Sequence, residues 1–146
     1  MAAAQKKTLF VIQPIGKSSE DIYQLVSAAA AQANITALRA DSVVGLGTGN
    51  ITETIQEAIV SASVLVADVT DANPNVMYKV GFAHAQNKPL ILIASSSRSI
   101  PFDLASVRVV IYDITTPGEF VQRLSKQIAQ AVKKPEDFLS ATCADG

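Results

Sequence analysis

The stretch Val64 to Ile93, VLVADVTDANPNVMYKVGFAHAQNKPLILI, decides the fold. It opens on Val64-Leu65-Val66-Ala67, a β-branched apolar run that reads as a strand buried on both faces. The run ends at Asp68, and Thr70-Asp71-Ala72-Asn73-Pro74 follows as a loop dense in turn residues. A helix is expected from Asn75 to about Gln86, with Val76, Val80, Phe82 and Ala83 as its packing face. Asn87 and Lys88 suit its end, and Pro89 stands where a helix cannot continue. Leu90-Ile91-Leu92-Ile93 is a second buried strand. The unit is strand, loop, helix, strand, and its polar residues gather after the first strand. In open α/β sheets that carboxyl edge is where ligands bind.

Composition bounds the rest. A chain of 146 residues is one domain's worth, with 49% hydrophobic and 17% charged residues, which favours burial over disorder. A net charge of -1 without a basic stripe argues against binding a nucleic-acid backbone. The single cysteine, Cys143, excludes an internal disulfide and fits a reducing, cytoplasmic setting. Behind Lys6 and Lys7 the apolar run Leu9 to Ile12 is too short for a signal or a membrane span. A soluble intracellular protein with no membrane partner is expected.

Outward from the central unit, Thr8-Leu9-Phe10-Val11-Ile12 is the first strand, stopped by Gln13-Pro14-Ile15-Gly16. Gly16 belongs to a turn whose backbone amides could approach a ligand closely. Ser18 or Ser19 is the expected cap of a helix whose stripe is Ile22, Leu25, Val26, Ala29 and Ala33. Ile35 to Leu38 is a short second strand that closes on Arg39-Ala40-Asp41. Gly45, Gly47 and Gly49 match neither the dinucleotide fingerprint nor the P-loop, so Ser42 to Asn50 is read as a loop. A helix capped by Asn50 or Thr52 then carries Ile51, Ile55, Ala58, Ile59 and Ala62 towards a core. After the central unit come a Ser-rich loop, a last strand Arg108 to Tyr112, and a helix opened by Pro117. Its stripe is Phe120, Val121, Leu124, Ile128, Ala131 and Val132. Residues 1–134 form one domain in this reading, and 135–146 a loose tail. Strands alternating with helices predict a flavodoxin-like α/β fold: a five-stranded parallel sheet with helices on both faces.

A series of short blocks now carries a resemblance. In order they are Phe10-Val11-Ile12-Gln13-Pro14-Ile15-Gly16, Arg39-Ala40-Asp41, Ala67-Asp68-Val69-Thr70, Asn73-Pro74-Asn75-Val76-Met77-Tyr78, Gly81-Phe82-Ala83-His84-Ala85, Lys88-Pro89 and Pro101-Phe102-Asp103. Together they resemble the bacterial nucleoside 2-deoxyribosyltransferase-like proteins, in particular the branch similar to Toll/interleukin-1 receptor (TIR) domains. The Asn-Pro-Asn-Val-x-Tyr block is the most specific, and the likeness spans roughly residues 8 to 113. It implies a sheet that binds a nucleoside, a nucleotide or NAD, and a chemistry of cleavage or transfer at the N-glycosidic bond. No cofactor is expected.

The departure from that pattern is as informative as the match. Where the family has Tyr-Glu-x-Gly-x-Ala, this chain has Tyr78-Lys79-Val80-Gly81-Phe82-Ala83, so Lys79 stands at the family's catalytic glutamate. Glycosidic cleavage passes through an oxocarbenium-like transition state that a neighbouring anion stabilises or captures. At roughly 4 Å and an effective dielectric of about 20, a carboxylate contributes on the order of 4 kcal/mol, and an ammonium reverses the sign. A swing of that size is several powers of ten in rate. Three accounts stay open: a silent site, a substituted glutamate, or a different carboxylate in its place.

The candidate binding residues each have a structural role beside the functional one. Asp68 either caps a turn or contacts ligand at the carboxyl edge. Asn75 is a cap or a ligand contact, and Tyr78 packs over a base or on the core. Asp41 follows a strand, and the resemblance tilts it towards the site. His84 is read as a packing or surface histidine, and Asp103 with Arg108 as a local ion pair. With one His and one Cys far apart, no metal site is supported. Two functions follow. One is a nucleotide-binding domain on an N-glycosidase scaffold, in which Gly16, Asp41, Asp68, Asn75 and Tyr78 surround the ligand and Lys79 meets the glycosidic carbon or a phosphate. The other is a TIR-like interaction module with a vestigial pocket. In either, the high apolar fraction favours a homo-oligomer.

Overall fold

The structure, a computed structural model, describes residues 7–14, 16–40, 50–96 and 107–139. Five strands form one parallel sheet in the order β2-β1-β3-β4-β5: β1 (Thr8–Ile12), β2 (Thr36–Arg39), β3 (Val64–Asp68), β4 (Leu90–Ala94) and β5 (Arg108–Ile111). That is the flavodoxin-like order, and the switch in direction falls between β1 and β3. The register brings Ile12 beside Ala67 and Asp68 beside Ile93, so the ends of β1, β3 and β4 share one edge.

Strand periodicity divides the core in two. Leu9, Val11, Val64, Val66, Ile91, Ile93 and Val110 face α1 (Lys17–Gln32) and α4 (Pro117–Lys133). Phe10, Ile12, Leu65, Ala67, Leu90, Leu92 and Ala94 face α2 (Ile51–Ser61) and α3 (Pro74–Ala85). Both sets are buried because each face of a parallel sheet is covered by crossover helices. Alternate residues of one strand therefore belong to different halves of the molecule, and this parity decides where the polar residues at its end point.

Helix ends follow local chemistry. Asn50 caps α2, its side chain accepting from the Glu53 N–H, and Asn73 caps α3 by accepting from the N–H groups of Asn75 and Val76. Pro74 fills the first position of α3, where its missing N–H costs nothing. Asn34 (φ 60°) and Asn87 (φ 55°) follow α1 and α3 in the left-handed region. In both, the next N–H returns to the third carbonyl from the helix end: Ile35 to Ala30, and Lys88 to Ala83.

Three expectations need correction. The expected serine cap of α1 gives way to Gly16 at φ 156° and ψ 171°, a backbone region that glycine alone enters readily, and the helix begins at Lys17. Ile51 is 62% exposed and not directed to a core, because it occupies the first helical position, before α2 meets the sheet. The tail is not loose at its start, for Pro135–Phe138 forms a 3-10 turn that buries Phe138 beneath the Arg108 guanidinium, 4.9 Å from its ring centre.

Candidate functional site

A cleft of about 480 Å³ opens at the switch point, between α2 and α3. Gln13 and Pro14, just past the end of β1, close one side. From α2 come Thr52, Ile55, Gln56 and Ile59, spaced by three and four residues and so on one helix face. From α3 come Asn75, Tyr78, Lys79 and Phe82 on the same rule, with its cap Asn73. The opposite face of α3, Val76, Val80 and Ala83, is buried against the sheet, which fixes the outward direction of the lining residues.

The lining has an apolar floor, Ile55 and Ile59, and aromatic rings from Tyr78 and Phe82. Around these stand four side-chain amides, Gln13, Gln56, Asn73 and Asn75, and one charge, that of Lys79. No carboxylate lines the cleft among the described residues. Lys79 has no hydrogen bond or ion pair with a described residue, whereas the Lys88 ammonium donates to the Val60 carbonyl at 2.8 Å and Arg39 is paired with Glu20. Gln13 donates from Nε2 to the Ser19 carbonyl at 2.6 Å, while its Oε1 is buried without a partner among the described residues. A buried acceptor left unsatisfied costs about 1–3 kcal/mol, so this is an unrelieved spot in the cleft wall.

Of the residues picked from sequence, Asn75, Tyr78 and Lys79 line the cleft. Tyr78 is 62% exposed, so its ring is not part of the core. Gly16 does not line the cleft; its glycine meets a conformational demand, with no atom within 4 Å of where a Cβ would stand. Asp41 and Asp103, the glycine-containing stretch 41–49 and the second half of the Ser-rich loop lie outside the described residues.

Asp68 is placed elsewhere. Counting along β3, it shares the parity of Val64 and Val66, and so turns to the α1/α4 face, away from the cleft. There it is 6% exposed and fully engaged. Its Oδ1 accepts from the Thr70 N–H at 3.0 Å and from the Thr70 hydroxyl, and its Oδ2 accepts from the Tyr112 hydroxyl at 3.1 Å. Thr70 Oγ1 is also 2.8 Å from the Tyr112 oxygen and accepts from the Ser95 N–H at 3.1 Å. Burial pushes the Tyr112 hydroxyl up to about 12; the nearby Asp68 charge adds to this and the Thr70 hydrogen bond opposes it. The network fastens the loop after β3 to the ends of β4 and β5.

Sequence reasoning missed Gln13, Thr52, Gln56, Asn73 and Phe82 as lining residues. One signal was available for α2, since Thr52, Ile55, Gln56 and Ile59 repeat at helical spacing. Nothing in sequence says that this stripe faces α3 across a gap. Among the described residues no group of His, Cys, Asp and Glu could hold a metal ion, and no helix is long and apolar enough to cross a membrane.

No family model and no curated protein matches the chain by sequence. Solved structures do match. A 2-deoxyribosyltransferase from Leishmania mexicana is similar at TM-score 0.51 and 20% identity, over 62% of this chain and 65% of that one, so the match spans just under two thirds of the relative. A CMP N-glycosidase from Clostridium botulinum is similar at TM-score 0.58 and 15% identity, over 82% of this chain and 98% of that one. A diflavin flavoprotein from Nostoc is similar at TM-score 0.60 and 10% identity, over 90% of this chain and 96% of that one. At such identities the likeness is one of fold, and enzymes of different chemistry share it. The chain has the flavodoxin-like α/β fold on which a 2-deoxyribosyltransferase and a nucleotide N-glycosidase are built.

Proposed function

We propose that this chain is a nucleoside- or nucleotide-binding domain of the deoxyribosyltransferase/N-glycosidase-like superfamily, with a site that lacks the superfamily's catalytic carboxylate. The observation that carries the reading is the lining of the cleft. It combines an apolar floor, aromatic rings and several amides at a sheet switch point, with Lys79 among them; the resemblance sets a glutamate at that position. Amides offer both donors and acceptors to a base edge or a ribose, and the rings and isoleucines offer a surface for a planar base. A cleavage site would also need an anion at the anomeric carbon. Asn75, Tyr78 and Lys79 are the ligand contacts in this proposal, with Gln13 and Gln56 added. Two nucleoside-processing enzymes among the structural neighbours lend the reading further support.

The direct test is a thermal shift across nucleosides, nucleoside monophosphates and NAD. Binding raises the melting temperature by mass action, and saturating ligand at 100 times Kd stabilises by about 2.7 kcal/mol. A flat response to every compound removes the proposal.

The oligomerising module draws on less. Ile51 and Val60 are exposed on α2, yet nine residues at about 100° each place them on opposite sides of the helix. They form no single apolar patch of the kind an interface needs. Light scattering at high concentration tests it, and a strict monomer ends it.

A further inference from the structure

Resting on the nucleotide reading, we infer that Lys79 anchors a ligand phosphate, so that the cleft selects nucleoside monophosphates over nucleosides and returns them intact. The electrostatics are one-sided. Lys79 is the only charged residue among the described residues of the lining, and it has no protein partner among them. Glu53 and Glu57 of α2 border an adjoining groove that shares Gln56 and Phe82 with the cleft, and neither lines the cleft itself. Asp68 lies across the sheet, bound to Thr70 and Tyr112. A neutral nucleoside would leave the Lys79 ammonium unpaired beside apolar surface, whereas a phosphate supplies charge-assisted hydrogen bonds there.

The α3 backbone does not compete for this role. The N–H groups of Asn75 and Val76 are already taken by the Asn73 side chain, at 2.9 and 3.3 Å. The side-chain cation is thus the group left to meet an anion. The cleft's about 480 Å³ sits in the lower part of the range for small-ligand sites, roughly 300–1,000 Å³, which suits a mononucleotide.

This has a consequence for chemistry. An anchored phosphate occupies the place at Lys79 that the family resemblance assigns to the catalytic carboxylate. Reactive and charged ends of the ligand are then exchanged relative to a hydrolase, and no described residue of the lining offers the glycosidic bond a carboxylate. No bond is broken, and bound nucleotide leaves as it came.

The test is calorimetric titration with matched pairs, uridine and UMP, adenosine and AMP, on the full chain and on Lys79→Gln and Lys79→Arg variants. A hydrogen bond to a charged group contributes enough for at least about a tenfold preference for the monophosphate. Lys79→Gln should reduce that ratio to near one, Lys79→Arg should keep it, and chromatography after prolonged incubation should recover the nucleotide uncleaved. If nucleosides and monophosphates bind equally to the unaltered chain, or the preference survives in Lys79→Gln, the phosphate anchor is overturned while the binding domain stands. Release of free base from UMP or AMP by the unaltered chain overturns it too. If no member of either pair binds, the nucleotide reading itself falls with it.

Discussion

Two polar clusters sit at the same edge of one sheet and are opposite in character. On the α1/α4 side, Asp68, Thr70, Tyr112 and the Ser95 amide satisfy one another, and the carboxylate is sealed from solvent. On the α2/α3 side, the cleft keeps both Lys79 and the Gln13 Oε1 without a partner among the described residues. A buried polar group with every partner in place stiffens a structure, and one without partners is where a ligand gains most. The carboxyl edge therefore does two jobs. One half fastens loops, the other stays open, and Asp68, one of two acidic residues that sequence placed at the site, belongs to the fastening half.

The largest expected effect comes from reversing the charge in the open half. Lys79→Glu puts a carboxylate on the cleft-facing side of α3, where a carboxylate would stabilise developing positive charge by on the order of 4 kcal/mol at about 4 Å. If the scaffold is otherwise competent, base release from nucleosides should rise from none to a measurable rate, in turnover and not in affinity, because the interaction belongs to the transition state. Chromatographic assay of free base over hours checks this. A variant that binds nucleoside but releases nothing from any substrate refutes the glycosidase scaffold.

Breaking the closed half should cost stability and leave ligand affinity alone. Tyr112→Phe removes the donor to Asp68 Oδ2 in a buried place and should destabilise by about 1–3 kcal/mol, measured by urea unfolding. Its pH dependence has a definite sign. The Tyr112 hydroxyl is raised to about 12 by burial, above the usual value near 10, so the folded chain holds a proton that the unfolded chain loses. The stability it contributes is complete below about pH 10 and is lost as the pH rises from there towards 12. The Phe variant should lack this alkaline decline. A large loss of nucleotide affinity in Tyr112→Phe would show that the two halves are not separate.

A smaller change joins the halves through the cap. Asn73→Ala frees the N–H groups of Asn75 and Val76 and should cost about 1 kcal/mol in thermal unfolding. Because Asn73 also lines the cleft, ligand affinity should fall with it. The smallest effect is at the far end of α3. Asn87→Gly relieves a left-handed backbone at φ 55° and should stabilise by about 0.5 kcal/mol or less, with binding unchanged.

The sequence by itself determined the succession of elements and therefore the fold. The buried runs Leu9 to Ile12, Val64 to Ala67 and Leu90 to Ile93 leave little alternative to parallel strands with helical crossovers. Asn50, Pro74, Asn87 and Pro117 mark helix boundaries by local hydrogen bonding and fixed φ, which need no distant partner. On the site it was legible only along α3, where Asn75, Tyr78 and Lys79 share one face by helical spacing. Tertiary structure decided the rest. The parity of β3 sent Asp68 to the face opposite the cleft, a matter of one residue in a period of two. Packing around the sheet also brought three segments distant in sequence, at Gln13, at Thr52 to Ile59 and at Asn73 to Phe82, around one space. Phe138 found a place under Arg108 that no local pattern announces. Local propensities act over a turn or two of chain, whereas a cleft is a property of the gap between elements, and a gap has no sequence of its own.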